Sequence, residues 1–481
     1  QFTLFSLIED SQSATSLIQR TMLESSIEMA KSSEQMTAKH PIRPPRKPRK
    51  GYYCLMAFPT IFGTSILIMV ILALFAPENG ECRMNVPQTI RRWGYPVETH
   101  NVVTEDGYVL EMHRIPYGRS KTHGNSTCRP VILLQHGLEM DSSNWVDNPP
   151  DQAAAYVFAD AGFDVWMGNV RGNKYGRKHI KLDAGMDARF WKFSWQDMAD
   201  RDLPALVNRA LKESGSDSLH YVGHSQGSLI MFARLSEDVH LKKQISSFHA
   251  LAPAVYVAHI KGLFRSFQWA IPVMRWWNSH PTIGELVPVS LFRLASASIC
   301  AHTFSFGICS SILFNIAGPQ SQYYNETRTP VYFSHILSGT SARNVVHWTQ
   351  MVIDRATRKF DFGSKRKNMA AYRSATPPMY DFSKVTVPVH IYWGAKDWLV
   401  SDEDVESRLI PALNGTTIES RKKFSDYNHF DFVWGTTAAS DVYAPIIRDV
   451  KQVEAVKLES TTCTIGLPSL STPSRELIRF T

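Results

Sequence analysis

Cysteine is scarce in this chain, with 6 residues in 481, and no two of them form a Cys-x-x-Cys pair. Cysteines this few and this scattered exclude a small fold framed by disulfides and a metal site of the zinc-finger kind. Basic residues outnumber acidic ones, for a formal net charge of +8, but they do not form a patch interleaved with aromatic side chains. We therefore expect no nucleic-acid partner.

The rest of the composition is that of a globular protein, with 44% hydrophobic and 20% charged residues. A chain of 481 residues exceeds a typical single domain, although one catalytic domain reaches this size when it carries a large insertion. We therefore expect one catalytic domain with an inserted subdomain and additional segments at both termini.

Two N-terminal segments differ from the remainder. Residues 1–50 are polar and end in a basic, proline-rich cluster, so we expect them to be disordered. Residues 52–76 carry no charged side chain and are long enough to cross a bilayer. The basic cluster before them favours a type II signal anchor with a cytosolic N terminus. A secretory signal peptide that begins at Met56 is the main alternative, and a buried core helix is the third.

From Val86 onward the pattern alternates between strands and helices. A hairpin is predicted over residues 94–110 and a helix over residues 196–211, where apolar residues recur at helical spacing. Strands that alternate with helices form a parallel sheet, so we predict an α/β fold with a mostly parallel sheet and flanking helices. Short apolar runs predict strands at residues 131–135, 162–167, 219–222, 246–251 and 387–393.

A long segment rich in aromatic residues, glycine and proline interrupts this alternation. The core is therefore predicted in two parts, residues 86–254 and 381–450, with a mainly helical cap over residues 255–380. Ordinary core packing explains most of these aromatic residues. An insertion at this point would nevertheless lie over the C-terminal edge of the sheet, where open α/β sheets bind ligands. Residues 451–481 are rich in Ser and Thr and are predicted to be a loosely ordered tail.

The clearest chemical signal is the sequence Gly-His-Ser-Gln-Gly at residues 223–227. Apolar runs precede and follow this G-x-S-x-G motif, which gives it the strand, turn and helix context that a nucleophile elbow requires. The two glycines remove side chains that would collide in so sharp a turn. Ser225 is therefore predicted to be a catalytic nucleophile. Chance also produces the motif in chains of this length, so the assignment depends on partner residues.

A serine hydroxyl needs an imidazole to take its proton and a carboxylate to orient that imidazole. Asp397 follows the strand predicted at 387–393, and His429 lies in a late loop. The resulting chain order of Ser, Asp and His is the order of α/β hydrolases. We therefore predict a catalytic triad of these residues. The alternative carboxylates are Asp402, Asp404 and Asp431.

The tetrahedral intermediate of such a reaction carries a negative oxygen that needs preorganised hydrogen-bond donors. We predict that the backbone N–H groups of Gln226, directly after the nucleophile, and Leu138, in an earlier loop, supply them. His136 and His224 flank motif glycines and are assigned structural roles, because the elbow would turn His224 away from the nucleophile. This chemistry needs no metal ion and no cofactor.

Together these motifs resemble those of the acid lipase family, which includes gastric lipase and lysosomal acid lipase. The resemblance covers about residues 86–450. It implies an α/β-hydrolase fold, a mobile cap over the site, and hydrolysis of carboxylic ester bonds in triacylglycerols or cholesteryl esters. The matching segments are residues 94–96, 104–108, 135–138, 168–173, 190–195, 223–227, 340–348, 428–429 and 434–435.

The resemblance also implies a disulfide in the cap between Cys300 and Cys309. Outside the hydrophobic segment, Cys82, Cys128 and Cys463 would then remain. An odd number of cysteines leaves one thiol free or paired between chains.

Glycosylation sequons begin at Asn125, Asn325 and Asn414. Each triplet alone is weak, but with a hydrophobic leader they favour a lumenal or extracellular catalytic domain. The protein would be membrane-anchored if the leader is retained, and secreted or lysosomal if it is cleaved.

These observations predict a serine esterase of the lipase type, which acts on neutral lipid esters at a lipid-water interface. A carboxylesterase for short soluble esters is the alternative within the same class of enzyme. A catalytically silent lipid-binding protein is the alternative outside that class, and the intact triad argues against it.

Overall fold

The computed structural model describes residues 80–119, 129–266, 285, 303–413 and 415–460. The predicted disordered segment at 1–50 and the predicted anchor or signal peptide at 52–76 lie outside these residues. Within the described ranges, no helix is both long and apolar enough to span a membrane.

Nine strands form one mixed sheet in the described part of the chain. Their order across the sheet is β1, β2, β4, β3, β6, β7, β8 and β9, with β5 paired to β2. The pairs that involve β2 are antiparallel, and the remaining pairs, from β4 to β9, are parallel. The strands are β1 (Glu98–Val103), β2 (Tyr108–Ile115), β3 (Val131–Gln135), β4 (Asp164–Gly168), β5 (Lys178–His179), β6 (Leu219–His224), β7 (Ile245–Leu251), β8 (Val389–Gly394) and β9 (Ile418–Phe424).

Eleven α-helices of five or more residues connect and flank these strands in the described part of the chain. The helix predicted over residues 196–211 is present as α3, preceded by a π-helical segment at Met198–Asp202. The helices are α1 (Val86–Arg92), α2 (Ala154–Asp160), α3 (Leu203–Ser214), α4 (Gln226–Glu237), α5 (Val239–Gln244), α6 (Gly262–Ser266), α7 (Thr303–Ala317), α8 (Thr329–His335), α9 (Ala342–Asp354), α10 (Lys365–Tyr372) and α11 (Ala444–Ser460).

The central strands are recognisable in the sequence because helices cover both faces of the sheet. Every residue of β3, β4, β6 and β8 is buried. Strands buried on both faces have nearly continuous apolar sequences, which is the pattern that predicted them. The mostly parallel α/β fold is therefore confirmed.

Strand β9 (Ile418–Phe424) is missing from the prediction. Its sequence, Ile-Glu-Ser-Arg-Lys-Lys-Phe, contains four charged residues, and most of its side chains are exposed or half-buried. It lies at the edge of the sheet, where charged side chains are common because they discourage pairing with other chains. An edge strand of this kind has no apolar run by which to recognise it.

The predicted tail begins too early. Helix α11 continues to Ser460, so residues 451–460 are helical rather than loosely ordered. Its Glu454 accepts hydrogen bonds from Nε2 of His220, at 2.9 Å, and from Nζ of Lys457, at 2.6 Å. The contact with His220 ties the helix to β6. Residues 461–481 lie outside the described part of the chain.

Between β7 and β8 the described residues contain helices α6 to α10 and no strand of the sheet. The sheet itself determines where the predicted triad lies, because parallel strands end at one common edge. Ser225 follows β6, Asp397 follows β8 and His429 follows β9. The three residues therefore come from loops at the same C-terminal edge.

Candidate active site

Ser225 lies in the sharp turn between β6 and α4, with φ 55° and ψ −117°. Such positive φ values are strained for a residue with a side chain, and strain of this kind concentrates at functional sites. Gly223 and Gly227 make the turn possible, because a Cβ atom at Gly223 would lie 2.7 Å from the backbone nitrogen of Ser228. A Cβ atom at Gly227 would collide with the carbonyl oxygen of Gln135. The turn therefore has the geometry of a nucleophile elbow.

Asp397 and His429 form a buried hydrogen bond. Nδ1 of His429 donates to Oδ2 of Asp397 over 2.7 Å, and each residue is 2% exposed. The second carboxylate oxygen, Oδ1, accepts the backbone N–H groups of Leu399 and Val400, both at 2.8 Å. These two amides fix the carboxylate, and the carboxylate in turn fixes the imidazole with its Nδ1 protonated. Nε2 of His429 is then the nitrogen that can accept a proton.

Ser225 and His429 line one cavity, which has about 690 Å³ of empty space with its opening to solvent included. The cavity extends from the C-terminal edge of the sheet towards the helices between β7 and β8. Its lining is mostly apolar, so it suits a substrate with hydrocarbon chains. Apolar residues of this lining include Ile260, Phe264, Ile316, Leu337, Leu399 and Phe430.

The two predicted oxyanion donors flank the nucleophile. Gln226 is the first residue of α4, where the helix dipole also favours negative charge, and Leu138 lines the cavity. The loop that carries Leu138 passes close to Ser225, since a Cβ atom at the preceding residue, Gly137, would lie 3.1 Å from Cβ of the serine. Within the described residues, neither the backbone N–H of Leu138 nor that of Gln226 donates a hydrogen bond. Both N–H groups are therefore available to an oxyanion.

The alternative carboxylates are engaged elsewhere. Asp402 accepts from Nε1 of Trp393, at 2.7 Å, and Asp404 accepts from the backbone N–H of His259, at 2.9 Å. Asp431 accepts from the backbone N–H of Asn428, at 2.7 Å, and burial raises the pKa of its carboxyl to about 7. Asp431 therefore shapes the loop that carries His429 without contacting the imidazole.

The two neighbouring histidines differ from each other. His136 donates from Nδ1 to the Gly137 carbonyl, at 2.8 Å, and its other nitrogen faces Asn173 at 3.1 Å, which is a structural arrangement. His224 lies nearer the chemistry than predicted, because it lines the same cavity as Ser225. Its Nε2 donates to the carbonyl oxygen of His429, at 2.9 Å, so it supports the loop that carries the imidazole. Burial lowers the pKa of His224 well below the ordinary value, which keeps this ring neutral.

Two features of the site have no counterpart in the sequence prediction. Glu139, directly after Leu138, is the one acidic residue among those that line the mostly apolar cavity in the described part of the chain, and its carboxylate accepts the backbone N–H of Gly339 at 3.0 Å. Burial raises the pKa of Glu139 to about 7. The second feature is the side chain of Gln226, which accepts hydrogen bonds from Trp348 and Asn344 of helix α9. A charged residue beside a predicted oxyanion donor is a signal that could have identified Glu139.

One group of described residues has donors spaced for a metal ion: His249, His390 and Asp449. None of the three lines the cavity that contains Ser225. The two imidazole rings stack with centroids 4.3 Å apart and planes at 19°, so their nitrogen lone pairs lie in two nearly parallel planes. Lone pairs in that arrangement do not converge on one ion.

The predicted modifications fall partly outside the described residues. Cys309 is disulfide-bonded and Cys82 is a free thiol. Cys300, Cys128 and Cys463 are not among the described residues, so the pairing of Cys300 with Cys309 stays a prediction.

Of the three sequons, only the one at Asn325 is described. Asn325 is half-buried and donates to Oε1 of Gln152 at 3.2 Å, while the Thr327 hydroxyl donates to its Oδ1 at 2.7 Å. Asn125 and Asn414 lie outside the described ranges.

A serine in a nucleophile elbow, with an aspartate and a histidine from later strand ends, defines the class of α/β hydrolases. Comparison with known proteins agrees. The family model described as alpha/beta hydrolase fold matches residues 130–436, and that of the partial alpha/beta-hydrolase lipase region matches residues 86–149.

Similar proteins extend over most of this chain. Lipase lipl-1 of Caenorhabditis elegans is 46% identical and covers 80% of this chain and 97% of its own. Gastric triacylglycerol lipase of Homo sapiens is 38% identical, and the match covers 78% of this chain and 93% of the gastric lipase. Lysosomal acid lipase/cholesteryl ester hydrolase of Macaca fascicularis is also 38% identical, and the match covers 78% of this chain and 93% of that lipase. The chain belongs to the acid lipase family of α/β hydrolases, whose members are serine hydrolases. The predicted family is confirmed.

Proposed function

We propose that this protein hydrolyses the carboxylic ester bonds of triacylglycerols, with cholesteryl esters as the second candidate substrate, through Ser225, His429 and Asp397. The observation that carries the proposal is the buried Asp397–His429 hydrogen bond of 2.7 Å, because His429 and the strained Ser225 line the same mostly apolar cavity. The names of the gastric and lysosomal relatives support the two substrates.

The mechanism begins with attack of the Ser225 hydroxyl on the ester carbonyl, while Nε2 of His429 takes the hydroxyl proton. Asp397 holds the imidazole in the required tautomer and stabilises its positive form. The carbonyl oxygen becomes negative and receives hydrogen bonds from the Leu138 and Gln226 amides. His429 then returns the proton to the departing alcohol oxygen, and the fatty acyl group remains on Ser225 as an ester.

Hydrolysis of this acyl-enzyme repeats the sequence with water. His429 takes a proton from the water as its oxygen attacks the acyl carbonyl, and the same two amides stabilise the second oxyanion. Collapse of this intermediate releases the fatty acid and returns the proton to Ser225.

The cap is part of the same proposal. Residues 255–380 would form a cap over the C-terminal edge of the sheet, and Ile316, Ile336 and Trp348 from this range line the cavity with Ser225. Such a cap would exclude water from the reacting groups and would meet the lipid-water interface. Cys300 with Cys309 would cross-link it.

We further propose that the catalytic domain is lumenal or extracellular. The gastric and lysosomal names of the relatives and the three sequons support this location. Glycans would be attached at Asn125, Asn325 and Asn414, and residues 52–76 would act as a signal anchor or as a cleaved signal peptide.

The testing experiment compares substrates in one purified preparation. The rate of hydrolysis is measured between about pH 4 and pH 8 for emulsions of triolein and cholesteryl oleate, and for a short soluble ester such as p-nitrophenyl acetate. A lipase hydrolyses the emulsions in preference to the soluble ester. Preference for the soluble ester would instead support a general carboxylesterase. Binding of the emulsions without release of fatty acid would support a silent lipid-binding protein.

A further inference from the structure

The side chain of Gln226, the residue after the proposed nucleophile, is held by two residues of helix α9. Nε1 of Trp348 donates to Oε1 of Gln226 over 2.7 Å, and Nδ2 of Asn344 donates to the same oxygen over 3.0 Å. All three side chains are buried, with 3% exposure for Gln226, 0% for Asn344 and 7% for Trp348. Helix α9 lies in the segment predicted to form the cap.

These contacts fix the amide of Gln226 in one orientation. Its nitrogen, Nε2, lies 3.4 Å from Sδ of Met198, so both ends of the amide have a partner. If the amide turned over, its nitrogen would face the two donors of α9, and buried donors without acceptors are costly. The side chain therefore has a single favourable position.

Asn344 is itself held in place by three further hydrogen bonds. Its Oδ1 accepts the backbone N–H of Trp195 at 2.7 Å, and its Nδ2 also donates to Oγ1 of Thr340 at 3.0 Å. Its backbone N–H donates to Oγ of Ser341 at 3.0 Å. The donor that Asn344 presents to Gln226 therefore belongs to a connected network, and such networks restrain their members more than isolated bonds do.

The backbone of Gln226 has a chemical task in the mechanism proposed above. Its N–H group is one of the two oxyanion donors, and stabilisation of an oxyanion depends on donors that are correctly oriented before the reaction begins. The residue follows Ser225, whose φ of 55° is strained, and it has no preceding helical turn to restrain it. Restraint of its side chain is therefore a direct way to restrain its N–H group.

We propose that Asn344 and Trp348 are positioning residues for the oxyanion hole, which hold Gln226 so that its backbone N–H points at the developing oxyanion. This inference rests on the proposed function of Ser225 and adds a role for helix α9. Trp348 also lines the cavity, so the residue that restrains the oxyanion donor is in reach of bound substrate.

The test is a double-mutant cycle of Trp348→Phe and Gln226→Met. The first change removes the indole N–H and keeps an aromatic ring, and the second removes the acceptor and keeps the side-chain length and the backbone N–H. Active sites are counted by labelling with a phosphonate ester, so that kcat refers only to folded enzyme. Trp191→Phe is the matched control, because Trp191 is buried and donates its N–H to Ala184 at 2.8 Å, away from the cavity.

Each single variant should lower kcat by about 10-fold, less than the 100-fold or more expected when an oxyanion donor is lost outright. The double variant should be no slower than Gln226→Met alone, because Trp348 would act through Gln226. Trp348→Phe should change KM by the same factor in the unaltered protein and in Gln226→Met, since the ring also borders the cavity. The control should retain the kcat of the unaltered protein.

Additive losses of kcat in the double variant would overturn the inference, as would changes in Tm or KM with an unchanged kcat. Additive losses would mean that Trp348 acts independently of Gln226, and an unchanged kcat would mean that the network only supports the fold. In either case, phosphonate labelling of the unaltered enzyme at Ser225 would show that the proposed function still stands. Absence of labelling at Ser225 would overturn the proposed function and this inference together.

Discussion

Nδ1 of His429 lies 2.7 Å from Oδ2 of Asp397, and both residues are almost completely buried. They are separated by 32 residues of sequence, which include strand β9, and they meet because β8 and β9 end at the same edge of the sheet. A buried carboxylate in this contact selects one imidazole tautomer and stabilises the imidazolium that forms during the reaction.

Replacement of Asp397 by Asn should therefore lower kcat by about 10⁴-fold without unfolding the protein. An Asn amide can donate to Nδ1, which would place the histidine proton on the wrong nitrogen for catalysis. The measurement is kcat on an emulsified triacylglycerol, with Tm as the check on folding. Asp402→Asn is the matched control and should stay within about 3-fold of the unaltered protein, because Asp402 bonds to Trp393 and not to His429.

Glu139 should make stability depend on pH. Burial raises the pKa of its carboxyl from 4.5 to about 7, so the folded state retains a proton that the unfolded chain has lost. The contribution of Glu139 to stability is therefore greatest at acid pH and falls as pH rises from about 4.5 to about 7. Glu139→Gln should raise Tm at pH 8 and leave it nearly unchanged at pH 4.

The control for this prediction is Glu419→Gln, at an exposed position of β9. Thermal unfolding of all three proteins at several pH values isolates the effect of Glu139, since other titrating groups are common to them. An equal change of Tm at acid and alkaline pH in Glu139→Gln would contradict the prediction.

Glu454 should have the opposite dependence on pH. Burial raises the pKa of this carboxyl, but hydrogen bonds from His220 and Lys457 outweigh burial and lower the pKa to about 2. Its contribution to stability is therefore present above about pH 4.5 and lost as pH falls towards 2. Glu454→Gln should lower Tm at pH 7 by about 2 °C, and the difference should shrink in acid.

Lys451→Gln provides a comparison on the same helix, because Lys451 is exposed. A Tm at pH 7 that is equal in Glu454→Gln and the unaltered protein would show that the contact with His220 adds nothing to stability.

The sequence predicts the central strands of the sheet for a local reason. Ser225 and Asp397 each follow a buried strand whose apolar run is recognisable, and the glycines beside Ser225 are required by the turn itself. Strand β9 was not predicted, because its sequence is rich in exposed charged residues and contains no such apolar run. The tail was predicted too early, and the contact of Glu454 with His220, which lies 234 residues away in sequence, has no local pattern that would indicate it.

The restraint on Gln226 could not be predicted for a related reason. Asn344 and Gln226 are separated by 118 residues, and neither residue type has a local pattern that indicates a partner. The contact exists only because helix α9 packs over the nucleophile elbow. Long-range contacts between single polar side chains of this kind become visible only in the folded structure.

The most direct test of the central claim is reaction of the purified protein with a long-chain alkyl phosphonate, followed by mass spectrometry of its peptides and by hydrolysis of triolein. The phosphonate should attach to Ser225 with loss of all triolein hydrolysis, and Ser225→Ala should retain its Tm while losing activity by about 10⁵-fold or more. Ser236→Ala, at a buried serine of helix α4, which follows Ser225, should keep full activity. Triolein hydrolysis that persists in Ser225→Ala, or phosphonate attached to another residue, would contradict the claim.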